Sequence, residues 1–373
     1  MKEYPNRLAS LDALRGFDMM FIMGVAALIT DICLLFPGGA DSWVAHQMSH
    51  ASWNGLTHHD TIFPLFLFLA GVSWPFSLAK QRAAGKSTRQ IVWKVLRRAV
   101  ILIALGVVYN GFFQLDFANL RIASVLGRIG IAWMGAALIY LFVKSPWKRG
   151  LIGAAILVGY WLLLRFVAAP DAPPGSDSLS IDGNIVAWVD RQIMPGKLIF
   201  NKGRFDPEGL LSHLPAIVTA LLGMFAGDLV RLPEEKMSGG RKTLWLLAAA
   251  VACLAVGLLW SLDFPINKKL WTSSFVLVVG AFSYASFALF YYVIDVKGYR
   301  KWCFPFKVIG MNSITIYLLQ KIVSIPSINL FFFGGLAGLC SPPVAKVLLA
   351  TTYVLISWLI LYFLYRKEVF LKV

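Results

Sequence analysis

The stretch SHASWNGLTHHDTIFPLFLFLAG, residues 49–71, sets a polar segment holding His50, His58, His59 and Asp60 directly against an apolar run. That run continues without a charged residue to Ala79. Thr61 to Ala79 is therefore long enough to cross a hydrocarbon core about 30 Å thick as an α-helix.

Comparable runs occur near 17–36, 99–117, 124–143, 150–168, 212–230, 243–262, 272–294, 306–325 and 342–365. None alternates polar and apolar residues as a membrane β-strand would. The composition agrees: 58% of residues are hydrophobic, 14% are charged and the mean hydropathy is +0.70, outside the range of soluble domains. These readings predict an all-α polytopic membrane protein of about ten transmembrane helices, built as a single domain over 1–373. A re-entrant or interfacial piece at 324–341 (SIPSINLFFFGGLAGLCS) is the alternative that changes the count. Met1 to Arg15 is polar and no small-residue cleavage site closes the first run, so the first span is expected to stay in the protein.

The formal charge of +16 does not point to nucleic acid, because the basic residues lie between spans rather than on one solvated face. With an even number of spans, one face collects both termini and 24 of the 35 basic residues. They are Lys2, Arg7 and Arg15, those from Lys80 to Arg98, Lys144 to Arg149, Arg231 to Lys242 and Lys297 to Lys307, and Arg366, Lys367 and Lys372. The positive-inside rule makes this face cytoplasmic, with anionic membrane lipids as its partners. All five histidines, His46, His50, His58, His59 and His213, then fall at the outer face.

His50 and Asn54 stand four apart and share a face if the segment is helical. A histidine beside an amide or carboxylate has the near-neutral pKa and the orienting partner that a general base needs. Asp60, at the entry of the second span, is placed to cap that helix or to orient the histidine. The cluster also contains metal-ligand residue types, but no HEXXH glutamate or cysteine accompanies them, and no metal is expected. Cys33, Cys253, Cys303 and Cys340 form no CxxC pair.

Polar residues inside spans are costly and mark function. Asp12, Arg15 and Asp18 repeat every third residue, so Arg15 can pair with either carboxylate. Arg121, Ser124 and Arg128 line one face at the start of the fourth span, and Asn312 with Ser313 opens a polar patch in the ninth. The outer segment at about 169–211 is long enough to form a lid. Within it, 185–198 (IVAWVDRQIMPGKL) reads as a short amphipathic helix on the membrane surface. Asp206 and Glu208, together with Trp53, are candidates to bind a sugar, although a turn around Asp206 and Pro207 also accounts for the acidic pair.

Several blocks together resemble the heparan-α-glucosaminide N-acetyltransferases and their bacterial homologues. They are HASWNGLT at 50–57 with Asp60 and IFPLFLF after it, RLASLDALRGF at 7–17, RIASVLGRIGIAW at 121–133, FDPEGLL at 205–211, INKKLWTSSFVL at 266–277 and GMNSITIYL at 310–318. LDALRG also resembles the opening motif of a wider superfamily of membrane acyltransferases acting on surface glycans. The resemblance runs from Arg7 to about Leu319.

The resemblance implies transfer of an acetyl group from cytoplasmic acetyl-CoA to an amino sugar or other glycan acceptor at the periplasmic face of a bacterial inner membrane, with a homodimer expected. It makes His50 the active-site residue, either deprotonating the acceptor or carrying the acyl group itself. Asn54 first, and Asp60, are then expected to orient His50 or bind the oxyanion. Arg15, Arg121 and Arg128, with Asn312 and Ser313, become candidates to hold CoA, which needs neither GxGxxG nor a Walker motif. Because the topology puts Arg121 near the outer face, it and Arg128 alternatively serve the thioester or the acceptor. The chain departs from the lysosomal enzyme by an expected lack of the large luminal N-terminal region and additional first span, and by HHD at 58–60 where a VAD-like sequence is commoner. Two other classes remain: a sugar or proton-coupled transporter, whose intramembrane charges form a pathway, and an envelope assembly protein, which would bind no CoA.

Overall fold

The computed structural model describes residues 8–371; Lys2, Arg7 and Lys372 of the basic face lie outside the described residues. Among the described residues there are helices and isolated bridge pairs but no strand. Eight helices among the described residues are long and apolar enough to cross a membrane, or nine if one bent pair is a single span. The protein is an all-α polytopic membrane protein, as its uncharged runs predict.

The first span is α1 (Ala9–Met20), a π-helical Phe21–Val25 and α2 (Ala26–Cys33). Gly24 interrupts it with a φ of 138°, a conformation that side chains rarely adopt. Gln320 donates to the Met23 carbonyl at 3.1 Å, beside this break. A short α3 (Trp43–Gln47) precedes α4 (His58–Ala83), and α5 (Thr88–Tyr109), α6 (Val125–Phe142) and α7 (Pro146–Phe166) follow. The outer segment carries α8 (Ile185–Ile193) and leads into α9 (His213–Val230) and α10 (Gly239–Ser261). Next come α11 (Ser273–Phe290), extended by a π-helical Tyr291–Val296, then α12 (Phe304–Gly310), α13 (Ser313–Ile322), α14 (Ile325–Gly338) and α15 (Pro342–Arg366).

Two expected spans are corrected. The run at 99–117 is the later part of α5, which starts at Thr88 behind a Ser87–Gln90 capping box and ends before Gly111, whose φ is 104°. Its Lys94, Arg97 and Arg98 keep it from being apolar enough to count among the eight. The run at 306–325 is not one helix: α12 and α13 are separated at Met311 and Asn312, and α13 meets α14 at a 74° bend. Pro326, in the first turn of α14, restarts the helix where its missing N–H costs nothing.

The chain divides into two compact units. The first holds the residues up to Ala51, Thr57–Ile62 and those from Ser286 onward. Its α1 and α12 touch backbone to backbone, because a Cβ on Gly16 would collide with the Phe306 carbonyl and one on Gly310 with that of Asp12. Small residues allow this approach in a membrane, where packing replaces the hydrophobic effect as the driving force.

The second unit holds Ser52–Leu56 and Phe63–Ala285. Its α4 and α9 cross in the same way, Gly71 against the Ala220 carbonyl and Gly223 against that of Phe68. At one end of this unit the loops meet: Gly55 N–H donates to the Ile266 carbonyl at 2.8 Å, Trp53 Nε1 to that of Leu179 at 3.0 Å, and Arg121 bridges Gly196. Asn110, just past α5, donates to the Arg121 and Ala123 carbonyls there. The other end is tied by Arg149, which donates to Asp228 at 3.2 Å and to the Val143 carbonyl at 2.6 Å.

Candidate active site

Asp60 stands three residues past Thr57, in the first turn of α4, where a carboxylate is favoured by the helix dipole. Its Oδ2 accepts from the backbone N–H of Thr57 at 3.2 Å, the return half of a capping box, and from that of Ala51 at 3.1 Å. The Thr57 hydroxyl lies 3.0 Å from the same oxygen and donates to the Ser49 carbonyl at 2.6 Å. Asp60 thus ties Ala51 and Thr57 to the start of its own helix.

The second carboxylate oxygen meets His50. Nδ1 of His50 lies 2.7 Å from Asp60 Oδ1, with the histidine side chain 54% exposed and the aspartate 1%. A carboxylate only accepts, so Nδ1 carries the hydrogen, and neutral His50 holds its lone pair on Nε2. His59 packs edge-on against His50, ring centroids 4.6 Å apart. A buried carboxylate that fixes one tautomer of a solvent-facing imidazole is the geometry of a general base with its orienting partner.

Asn54 does something else. The segment 50–57 is not helical, so the spacing of four does not place His50 and Asn54 on one face. Asn54 Oδ1 accepts from Asn267 at 3.1 Å in the second unit, and Lys269 donates to the Ser52 carbonyl at 2.6 Å. Trp53 stacks on Phe200, centroids 6.2 Å apart, and its indole N–H is already used on Leu179. Ser52 to Leu56 is therefore strapped down by 266–269, residues that lie in a matched block but were not singled out there.

The acidic pair expected to bind sugar is used within the protein. Arg121 grips Asp206 with two hydrogen bonds of 2.8 and 2.7 Å and also bonds Glu208. Asp206 has no exposed surface and accepts from the Glu208 N–H as well. Burial pulls the Arg121 pKa down, but its bonds to Asp206 and Glu208 outweigh this and leave it above the ordinary arginine value. Arg128, 1% exposed, donates to the Pro207 carbonyl and the Ser212 hydroxyl and lies over the Trp271 ring. Both arginines hold the turn 205–212.

The lid segment has its own core. Ile185, Val186 and Ala187 pack with Tyr160, Leu164, Phe205, Phe264 and Leu270. The helix expected over 185–198 stops at Ile193, and its Ile185, Val186 and Ala187 are covered by protein while Ile193 is exposed. Asp190 on this helix, fully buried, accepts from the Leu210 N–H at 2.9 Å.

In the first unit, Arg15 pairs with Asp12 at 3.4 Å, while Asp18 Oδ2 is buried with no hydrogen-bond partner among the described residues. Asn312, 1% exposed, and Ser313 sit at the joint between α12 and α13. The Gly16–Gly310 contact puts Arg15 and this joint on elements in backbone contact. Among the described residues, no three His, Cys, Asp or Glu side chains gather as a metal ion requires.

Fold and site together define a polytopic helical membrane protein with a histidine–aspartate pair at the head of a span. Over 99% of its length the chain is similar to the heparan-alpha-glucosaminide N-acetyltransferases of Homo sapiens, at 27% identity, and of Mus musculus, at 26%. It is a homologue of these enzymes, and it spans 60% and 61% of their lengths. No protein-family model matches it.

Proposed function

We propose that the protein is a transmembrane acetyltransferase that moves an acetyl group from acetyl-CoA to an amino sugar or other glycan acceptor on the face opposite the basic loops. The observation that carries this reading is the His50–Asp60 pair, set within a block that resembles the N-acetyltransferases.

In this reading the acceptor nitrogen or oxygen attacks the thioester carbonyl, forming the new C–N or C–O bond as the C–S bond breaks. His50 Nε2 takes the proton and returns it to the departing thiolate. An acetyl-imidazole on the same nitrogen would divide the reaction into two steps. Arg15, Asn312 and Ser313 serve the donor, whereas Arg121 and Arg128 position the lid turn. Saturable binding of acetyl-CoA to purified protein, and transfer to amino sugars that His50→Ala abolishes without loss of donor binding, is the expected result. Full transfer by His50→Ala would remove the assignment.

One observation favours transport. The first span is broken at Gly24 and the α13–α14 pair bends by 74°, and interrupted helices build substrate sites in transporters. Sugar uptake into proteoliposomes without acetyl-CoA would establish that reading instead.

A further inference from the structure

His58 and His59 precede Asp60 on the first turn of α4, and their rings go different ways. His58 packs on Phe21, ring centroids 4.5 Å apart, and its backbone N–H donates to the Gln47 side chain at 2.8 Å. His59 meets the candidate base instead, its ring at 64° to that of His50 with the centroids 4.6 Å apart. His50, His59 and Asp60 all belong to the first unit. His50 is exposed and His59 half-buried, so neither is closed to a ligand. The hydrogen bond that fixes the His50 tautomer comes from Asp60, and the ring contact with His59 adds nothing to it.

Two bases in contact match one class of acceptor. A hydroxyl loses one proton as it is acylated, and His50 Nε2 accounts for that proton. An amine of pKa about 8, the α-amino value, is mostly ammonium at pH 7 and must lose two. The first leaves before the lone pair can attack, the second as the C–N bond forms. An imidazole, with an ordinary pKa of about 6.5, can take the first proton and still release it to water.

We propose that His59 is a second base, which takes the first proton from an ammonium acceptor beside His50. This inference rests on the acetyltransferase reading and narrows its acceptor to an amine. The ammonium gives one proton to His59, and the freed lone pair forms the C–N bond as the thioester C–S bond breaks. The second proton passes through His50 Nε2 to the thiolate, so CoA leaves as the thiol, and His59 returns its proton to water.

Ionisable groups from each neighbouring element bear on this step. The segment 49–57 brings His50, and α4 carries His58 and Asp60 beside His59. The first helix, which reaches His58 through Phe21, carries Asp18 three residues earlier, and α3, which reaches it through Gln47, carries His46. All of these are shared by wild type and variant, so the test is their ratio at each pH.

His59→Phe keeps a ring against His50 and removes both nitrogens; His59→Gln keeps polarity without a near-neutral base and serves if the first variant does not fold. Acetyl transfer to glucosamine is measured from pH 6.5 to pH 9, with acetyl-CoA binding followed by calorimetry. The expected result is a kcat/KM about tenfold or more below wild type at pH 6.5, returning to within about twofold at pH 9, where the acceptor is already the free amine. The acetyl-CoA Kd should stay within about twofold. A kcat/KM equal to wild type throughout would overturn the inference by reducing His59 to ring packing, and an equal loss at every pH would overturn it by making His59 structural. Wild-type protein that acetylates hydroxyl acceptors but not amines would overturn it while leaving acetyl transfer intact. Wild-type protein that neither binds acetyl-CoA nor transfers acetyl would remove both readings.

Discussion

His50 and Asp60 are joined at 2.7 Å across ten residues of chain, the one exposed and the other buried. The carboxylate does two jobs, capping α4 and fixing the imidazole tautomer, and these respond differently to substitution. Asp60→Asn keeps an oxygen for the backbone N–H groups of Ala51 and Thr57 but loses the charge that holds Nδ1–H. The expected outcome is a fall in kcat of roughly 10²–10⁴-fold, by analogy with other base-orienting carboxylates, with the acetyl-CoA Kd within about twofold. Initial rates and calorimetry on the same preparation check it; wild-type kcat in this variant would show that Asp60 serves only as a cap.

Much of the architecture was legible because a span needs only an unbroken apolar run, and the sequence from Thr61 to Ala79 is one. Hydropathy does not report chain direction, so the break at Gly24 and the 74° bend after Ile322 were invisible in the runs containing them. The resemblance singled out His50, but Asp60, the carboxylate it pairs with, was not ranked first as its partner. The i,i+4 rule that favoured Asn54 presumes a helix, and 50–57 is irregular. The better signal was Asp60 three residues past Thr57, a carboxylate placed to reach back over its own cap. Arg121 and Asp206 are 85 residues apart, and only opposite charge in two matched blocks hinted at their pairing.

That pairing supports a stability prediction. Arg121→Ala leaves Asp206, with no exposed surface, as an uncompensated buried carboxylate. Breaking such a pair from one side costs about 3–5 kcal/mol. Thermal unfolding in detergent should show a clear drop in the midpoint for Arg121→Ala and partial recovery in Arg121→Ala/Asp206→Asn, which removes the stranded charge. A double variant no more stable than the single one would place the loss elsewhere than in the ion pair.

The crossing of α1 and α12 has no room for a side chain. Gly16→Val drives its Cβ into the Phe306 carbonyl, and since both elements are backbone at the contact, neither can yield by changing rotamer. Aggregation or loss of the monodisperse peak on size exclusion after extraction is expected. Gly335→Ala, in α14 with nothing within 4 Å of the added methyl, should behave as wild type or slightly better, since alanine favours helix over glycine by about 1 kcal/mol.

Asp190 gives the protein a pH dependence of definite sign. Burial, first, and the neighbouring Asp206 charge raise its pKa to about 7, against the Leu210 N–H, Arg128 and Arg191, which lower it. A carboxyl group with its folded pKa above its unfolded value of 3.8 binds a proton more readily in the folded state. Between these two values unfolding therefore releases a proton, and stability falls as pH rises. The contribution is fully present below the unfolded pKa and is lost as pH passes the folded one. Asp190→Asn keeps an oxygen for the Leu210 N–H and removes the titration. The unfolding midpoint of wild type relative to Asp190→Asn should accordingly fall from pH 4 to pH 8, most steeply below pH 7. A difference that stays flat across that range, or rises, would mean that Asp190 is ionised in the folded protein throughout.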